Sequence, residues 1–376
     1  MFVYFLLMLL CLGAVTLTQK KYALPNGGGR LNKDQKAWFC TIIIYMIILC
    51  AFRAYGSKTN HIGIDTYGYY EAYSSIDKTY NGILDIIQSH DKDSGYKVIM
   101  WVFNKLQLDF TVVLTLFSLV YVGIVGIYIY KYSKNMIVSI IVFAGLGLYT
   151  FAFSAIRQSI AMGLCLAAYM LDDKYKGFKG FVCFVLLVAA ASTIHASAVV
   201  FVPAYVLGKL PYKRSTLFVL IGIAAATMIF KGQFANFIMR LGADVAEHYE
   251  GYGSSVLVKE RNAGMRLYML VAALVALRLV FSKKISNNAR NDSLIYMMLF
   301  MLILFPATQG GGAMMRIYYY YYIFIITFVP NTVEGMQDHR ERLVVYILLI
   351  AFFLYFFYGV LSNKTLMITP YKFFWQ

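Results

Sequence analysis

Charge is scarce in this sequence. Only 14% of its 376 residues are Asp, Glu, Lys or Arg, and 60% are hydrophobic; a soluble domain carries about 25% charged residues. So large an apolar share exceeds what one water-soluble core can bury, which excludes soluble, disulfide-stapled and disordered chains alike. Acidic residues are fewest, 18 against 34 Lys and Arg. The basic residues sit in short clusters between apolar runs and form no single patch or helix face, which argues against a nucleic-acid reader. Cys11, Cys40, Cys50, Cys165 and Cys183 lie in apolar segments with no CxxC pair, so neither a zinc site nor a disulfide framework is indicated. No HExxH and no glycine-rich phosphate loop followed by lysine occurs.

What is present is a series of apolar runs, each close to the roughly 20 residues that cross a bilayer. They fall at about 2–18, 38–54, 110–130, 135–152, 155–171, 178–194, 197–209, 215–231, 266–282, 293–309, 313–330 and 342–360. The expectation is an all-α polytopic integral membrane protein, one transmembrane domain over 1–376 with about 12 transmembrane helices (11–13). The first run has its positive charges after it, the reverse of a secretory signal, and reads as a retained helix. Lys20, Lys21, Arg30, Lys33 and Lys36 mark the segment that follows as cytoplasmic, placing both termini outside. The six loops then assigned to the cytoplasm hold 18 of the 34 Lys and Arg in about 57 residues, a higher density than outside.

Two outer segments, 55–109 and 233–266, are longer than connectors need to be. In the first, Tyr96, Ile99, Met100, Phe103 and Leu106 recur at helical spacing. They predict an amphipathic helix lying at the outer interface.

An ionisable residue in a span costs about 2.5–3.5 kcal/mol even on lenient scales, so each is a functional candidate. Arg157 opens an apolar helix beside Gln158 and Ser159. It is either an interface arginine snorkelling to headgroups or a fork that grips a phosphate bidentately. His195 closes the span before it, as a hydrogen-bonded structural histidine, a phosphate ligand or a proton acceptor. Arg316 follows Gly310, Gly311 and Gly312, where backbone can approach a ligand closely. All three map to one membrane face. Tyr318–Tyr322 is a run of five tyrosines, for which an aromatic belt or packing is the plainer account and sugar stacking at Tyr318 the functional one. The outer loops add Asp65, Tyr67, Tyr70, Glu71, Arg240, Glu247, His248 and Arg261, each of which solvated loop charge or polarity could explain.

Gly63-Ile-Asp65-Thr-Tyr67-Gly-Tyr-Tyr70 and Asp93-Ser-Gly95-Tyr96 resemble the first outer loop of EpsG-type, Wzy-like bacterial polysaccharide polymerases. Arg157-Gln158-Ser-Ile-Ala161 looks like that family's RQ-x-x-A helix start. Ile194-His195-Ala-Ser197-Ala198 with Pro203 is similar to its His-x-Ser element, and Arg316-x-x-x-Tyr320 to its late arginine helix. The resemblance spans about residues 55–330 in the expected order.

The resemblance implies a GT-C-like helical fold and a glycosyltransferase of the bacterial cytoplasmic membrane. Such enzymes join oligosaccharide repeat units carried on undecaprenyl pyrophosphate at the outer face, without nucleotide sugar, cofactor or metal. The partners implied are that lipid-linked oligosaccharide, membrane lipid and a chain-length regulator protein. Leaving pyrophosphate develops negative charge that fixed cations stabilise, which makes Arg157, Gln158 and Arg316 the pyrophosphate-binding candidates. His195, Asp65 and Glu247 are the catalytic candidates, and Tyr67, Tyr70, Arg240, Arg261 and Tyr318 the sugar-binding ones. A flippase of lipid-linked sugars is the first rival, but it is expected to have short loops on both sides. A membrane acyltransferase is the second, and it needs a histidine often reached from the cytoplasm, whereas His195 is assigned outside. A scaffold role is the remaining alternative.

Overall fold

The computed structural model describes residues 1–19, 33–89, 91–241, 254–281, 289–310 and 316–376. Among these residues the named elements are all helical, and β pairing is limited to two isolated bridges. Among the described residues four helices are long and apolar enough to cross a membrane: Lys33–Ala51, Phe110–Tyr132, Gly177–Ile194 and His339–Ser362. Two bent pairs, Met136–Gly145 with Leu148–Ser154 (48°) and Arg214–Ile229 with Lys231–Ile238 (96°), make six if each is one span. The chain is thus a polytopic helical membrane protein. Other apolar runs fold as shorter helices or end in charge: Ile156–Tyr175 carries Arg157 at its start and Asp172, Asp173 and Lys174 at its end.

The described chain divides into two units, Met1–Ala167 with Thr193–His195 and Val344–Gln376, and Ala168–Ser192 with Ala196–Leu343. The first contains α1 (Phe2–Gln19), α2 (Lys33–Ala51), α3 (Thr66–Thr79), α4 (Ile83–Gln88), α5 (Ser94–Lys105), α6 (Phe110–Ser118), α7 (Ile124–Tyr132), α8 (Met136–Gly145) and α9 (Leu148–Ser154). It also takes the start of α10 (Ile156–Tyr175), the end of α11 (Gly177–Ile194) and most of α19 (His339–Ser362). The second unit holds α12 (Ala204–Leu207), α13 (Arg214–Ile229), α14 (Lys231–Leu241), α15 (Ser254–Val280), α16 (Ala289–Leu304), α17 (Tyr319–Tyr322) and α18 (Ile325–Glu334).

Within the first unit, small residues let helices approach backbone to backbone. A Cβ on Gly163 of α10 would lie 3.1 Å from the carbonyl oxygen of Val120. Val120 belongs to the π-turn Leu119–Gly123 that joins α6 to α7, an irregularity of the kind frequent at functional sites. Asp109 caps α6 by accepting from the Thr111 amide (2.7 Å).

The long segment 55–109 folds as three helices that pack onto this scaffold. Tyr73 and Ile76 of α3, Tyr96 and Met100 of α5, Phe110 and Phe117 of α6, Ile156 and Ile160 of α10 and Ile194 form one buried cluster. The helix expected around Tyr96–Leu106 is α5, and its apolar stripe faces this cluster rather than a lipid interface: Tyr96 is 7% and Met100 2% exposed. Leu106, just past its end, is the exception at 64%.

The loop is pinned at the break between α9 and α10. The Thr66 hydroxyl donates to the Phe153 carbonyl (2.8 Å), and Gly63 has φ +88° with its missing Cβ only 2.1 Å from that same oxygen. Arg53, 1% exposed, gives its Nε to Thr66 (3.4 Å) and an Nη to the Cys50 carbonyl, with its guanidinium 5.2 Å from the Phe153 ring centroid. The C-terminal segment closes over the same region: Gly63 donates to Met367 O (2.9 Å), Ala54 to Lys372 O (3.0 Å) and Phe374 to Phe52 O (3.0 Å).

In the second unit the tyrosine run is packing. Tyr320, Tyr321 and Tyr322 are at most 1% exposed. Tyr321 donates to the Val200 carbonyl (3.0 Å), and Tyr320 shares a hydrogen bond with Ser197 (3.1 Å).

Gly63→Ala is expected to cost more than about 1 kcal/mol, since it adds both a left-handed strain and a collision. Gly68→Ala, inside α3 with nothing within 4 Å of its Cβ, is expected to be neutral or stabilising by up to about 1 kcal/mol. Thermal unfolding of the two variants in detergent checks the pair.

Candidate functional site

Three chain-distant residues of the first unit meet at one carboxylate oxygen. Arg157 Nη1 donates to Asp93 Oδ2 at 2.6 Å, and His195 Nδ1 stands 3.6 Å from the same oxygen. The Asp93 side chain is 2% exposed, His195 16% and Arg157 36%. Each arrives by a local break in helical structure. Arg157 is the second residue of α10, immediately after Ala155 leaves helical geometry. His195 directly follows α11 and precedes the 3-10 turn Ala196–Phe201. Asp93 precedes α5 with φ 56°, ψ 39°, a left-handed conformation uncommon for a residue with a side chain.

Asp93 occupies an N-cap position, where aspartate ordinarily accepts from its own helix's amides. It makes no such capping bond; its carboxylate is turned to Arg157 instead. A buried carboxylate needs a cation or hydrogen-bond donors to offset its desolvation, and Arg157 supplies both charge and a short charge-assisted bond. The remaining edge of Arg157 lies against two phenol rings, with the guanidinium 5.8 Å from the Tyr69 centroid and 5.9 Å from that of Tyr96. Burial pushes the Tyr69 phenol up, and the nearby Arg157 charge opposes that shift. Arg157 Nε, His195 Nδ1 and the Tyr96 hydroxyl are enclosed without a hydrogen-bond partner. Buried polar atoms ordinarily have a partner, so these three mark the surroundings of Asp93 as a candidate site.

The site's position is fixed by close contact. A Cβ on Gly95 would lie 2.2 Å from Thr193 Oγ1, two residues before His195, so the start of α5 sits directly on the end of α11. The loop ahead of α5 is anchored separately. Asp91 pairs with Lys97 (2.8 Å) and accepts from the Tyr80 hydroxyl, while Trp101 Nε1 donates to the Tyr80 carbonyl (3.1 Å).

The sequence-predicted residues divide as follows. Arg157 and His195 come together at Asp93, and Gln158, 4% exposed, is buried in α10. Asp65 is exposed at the N-cap of α3, without a capping bond of its own. Tyr67 is half-buried with its ring 6.0 Å from that of His61, and Tyr70 is half-buried between Tyr55 (5.1 Å) and Phe110 (5.5 Å). Arg316 and Arg240 are exposed in the second unit. Tyr318 is buried there against Phe305, with ring centroids 5.3 Å apart. Arg261 falls within α15, and Glu247 lies outside the described residues.

Sequence reasoning missed Asp93 as a site residue, although it stands in an Asp-x-Asp spacing with Asp91. In the fold both aspartates face cations, Asp91 toward Lys97 and Asp93 toward Arg157. Among the described residues no group of three His, Cys, Asp or Glu could hold a metal ion. Arg53 was also missed, because sequence does not distinguish a buried arginine at a helix end from an interfacial one.

The hydrogen bonds from Lys97 and Tyr80 hold Asp91 at a pKa of about 2, below the roughly 3.9 of an unfolded chain. With the folded value depressed, the stabilisation is complete above about pH 4 and is lost as the pH falls toward 2. Trp101 fluorescence is therefore expected to hold steady from pH 7 to about 4.5 and to change only below that window.

Comparison with known proteins adds a family to this geometry. No curated protein and no solved structure matches the chain. The family model described as the EpsG family matches residues 37–373, a span that takes in Asp93, Arg157, His195 and the C-terminal segment closing over Gly63. On that match over most of its length, the chain belongs to the EpsG family, a family of Wzy-like polysaccharide polymerases.

Proposed function

We propose that this protein joins oligosaccharide repeat units carried on undecaprenyl pyrophosphate, at the outer face of a bacterial cytoplasmic membrane. The observation that carries the reading is the meeting of Arg157 and His195, from separate helices, at the buried carboxylate of Asp93. A glycosyl transfer with a lipid pyrophosphate leaving group requires a cation for the departing phosphate and an acceptor for the proton of the attacking hydroxyl. Arg157 and His195 supply one of each.

In the proposed step an acceptor hydroxyl oxygen attacks the anomeric carbon of the donor chain. The new C–O bond forms as the bond from that carbon to pyrophosphate breaks. The hydroxyl proton passes to His195, and undecaprenyl pyrophosphate leaves with its charge facing Arg157. Energy comes from the cleaved sugar–pyrophosphate linkage, so no nucleotide sugar is needed. The twelve-span, GT-C-like arrangement with both termini outside belongs to the same proposal, supported by the clustering of Lys and Arg in the shorter loops.

Lysine retains the charge of arginine but not its planar fork. Arg157→Lys is therefore expected to reduce polymer formation by about a hundredfold at unchanged protein level, while single lipid-linked units accumulate on the outer face. Gel analysis of polymer length with a sidedness assay of the lipid-linked units checks this. Normal polymer from Arg157→Lys contradicts the role of Arg157, and units trapped on the inner face in its absence indicate a flippase.

A further inference from the structure

We infer that Asp93 is a positioning residue that sets which nitrogen of His195 takes the proton and holds Arg157 in register with it. The inference rests on the polymerase reading for its catalytic meaning, but its geometric core stands apart from that reading.

Three observations carry it. First, a single oxygen, Oδ2, faces both Arg157 Nη1 (2.6 Å) and His195 Nδ1 (3.6 Å), so a shift of this carboxylate moves both partners. Second, Asp93 holds a left-handed backbone at φ 56°, and its side chain makes no capping bond to its own helix. Such a conformation persists where surrounding contacts enforce it. Third, Gly95 packs on Thr193 with no room for a Cβ, which locks the carboxylate to the segment that carries His195.

The chemistry follows from the imidazole ring. A carboxylate facing Nδ1 favours the tautomer with the proton on Nδ1, leaving the lone pair on Nε2, at the far side of the ring, to accept a proton. Once His195 has taken that proton, the imidazolium faces Asp93 directly. At 3.6 Å the resting contact is longer than a hydrogen bond, and it is expected to tighten on protonation. Arg157 restrains Asp93 until phosphate charge arrives to share the guanidinium. The groups that set the local charge are Asp93 beside His195, Arg157 across the carboxylate, Lys92 next to Asp93, and the phenols of Tyr69 and Tyr96 against Arg157.

The test uses the full-length protein in lipid vesicles, labelled with 15N-histidine and observed by solid-state NMR. The His195 signal is identified by its disappearance in His195→Gln. The wild type is expected to show Nδ1-protonated His195 at neutral pH, and Asp93→Ala is expected to lose that preference. An identical tautomer balance in the two proteins overturns the proposal, whether or not the protein polymerises sugars. Asp93→Asn, close in shape to the carboxylate, provides the second readout if the alanine variant fails to assemble. The amide of asparagine can donate to Nδ1, so Asp93→Asn is also expected to lose the Nδ1-protonated preference. The polymerisation rate is expected to fall at least about tenfold. A lower rate with an unchanged tautomer balance means that Asp93 is merely structural, and overturns the proposal. Loss of polymerisation activity in the wild type itself, with the tautomer result intact, counts against the polymerase reading alone.

Discussion

The buried carboxylate of Asp93 is the constraint around which the first unit is organised. An aspartate 2% exposed on its side chain is tolerable in so apolar a protein only with a cation against it. Arg157, itself part-buried at the start of α10, has the same requirement in reverse. Their short bond ties the loop helix α5 to α10, and through Gly95 and Thr193 to the end of α11. Breaking one partner of a buried ion pair costs about 3–5 kcal/mol, somewhat less here because Arg157 is partly solvated. The pair is thus a structural clasp at the centre of the candidate site.

Around this clasp the rest of the unit serves to hold a long loop still. Thr66 and Gly63 seat it on the Phe153 carbonyl, Arg53 fills the space beneath, and the C-terminal segment pairs with it at Ala54 and Gly63. Aromatic rings supply much of the packing, with Tyr55, Tyr70 and Phe110 within about 5.5 Å of one another in pairs. The proposed action on charged phosphate draws on such rigidity, because preorganised charge stabilises a transition state without reorganising at the moment of reaction.

Much of this was legible in the sequence. Arg157 and His195 stood out because ionisable groups are expensive at the ends of apolar runs, and they do converge. The α5 stripe of Tyr96, Met100 and Phe103 was readable from its spacing, but periodicity does not say whether lipid or protein covers an apolar face. The covering here is the α3, α6 and α10 cluster. Asp93 was hidden because a solvated aspartate and one aimed at an arginine 64 residues away look alike in a linear sequence. The five-tyrosine run read most plainly as an aromatic belt or packing, and its Tyr320–Tyr322 segment is core. Composition counts twelve apolar runs, and among the described residues four helices, or six with the bent pairs, are long and apolar enough to cross a membrane.

The most direct test of the central claim is the stoichiometry of leaving-group release in proteoliposomes containing only this protein and a lipid-linked repeat unit. The account predicts one undecaprenyl pyrophosphate released for each linkage formed, with chains lengthening in the absence of any nucleotide sugar. Repeat units that remain single, with no lipid pyrophosphate released while the protein is folded, would contradict it.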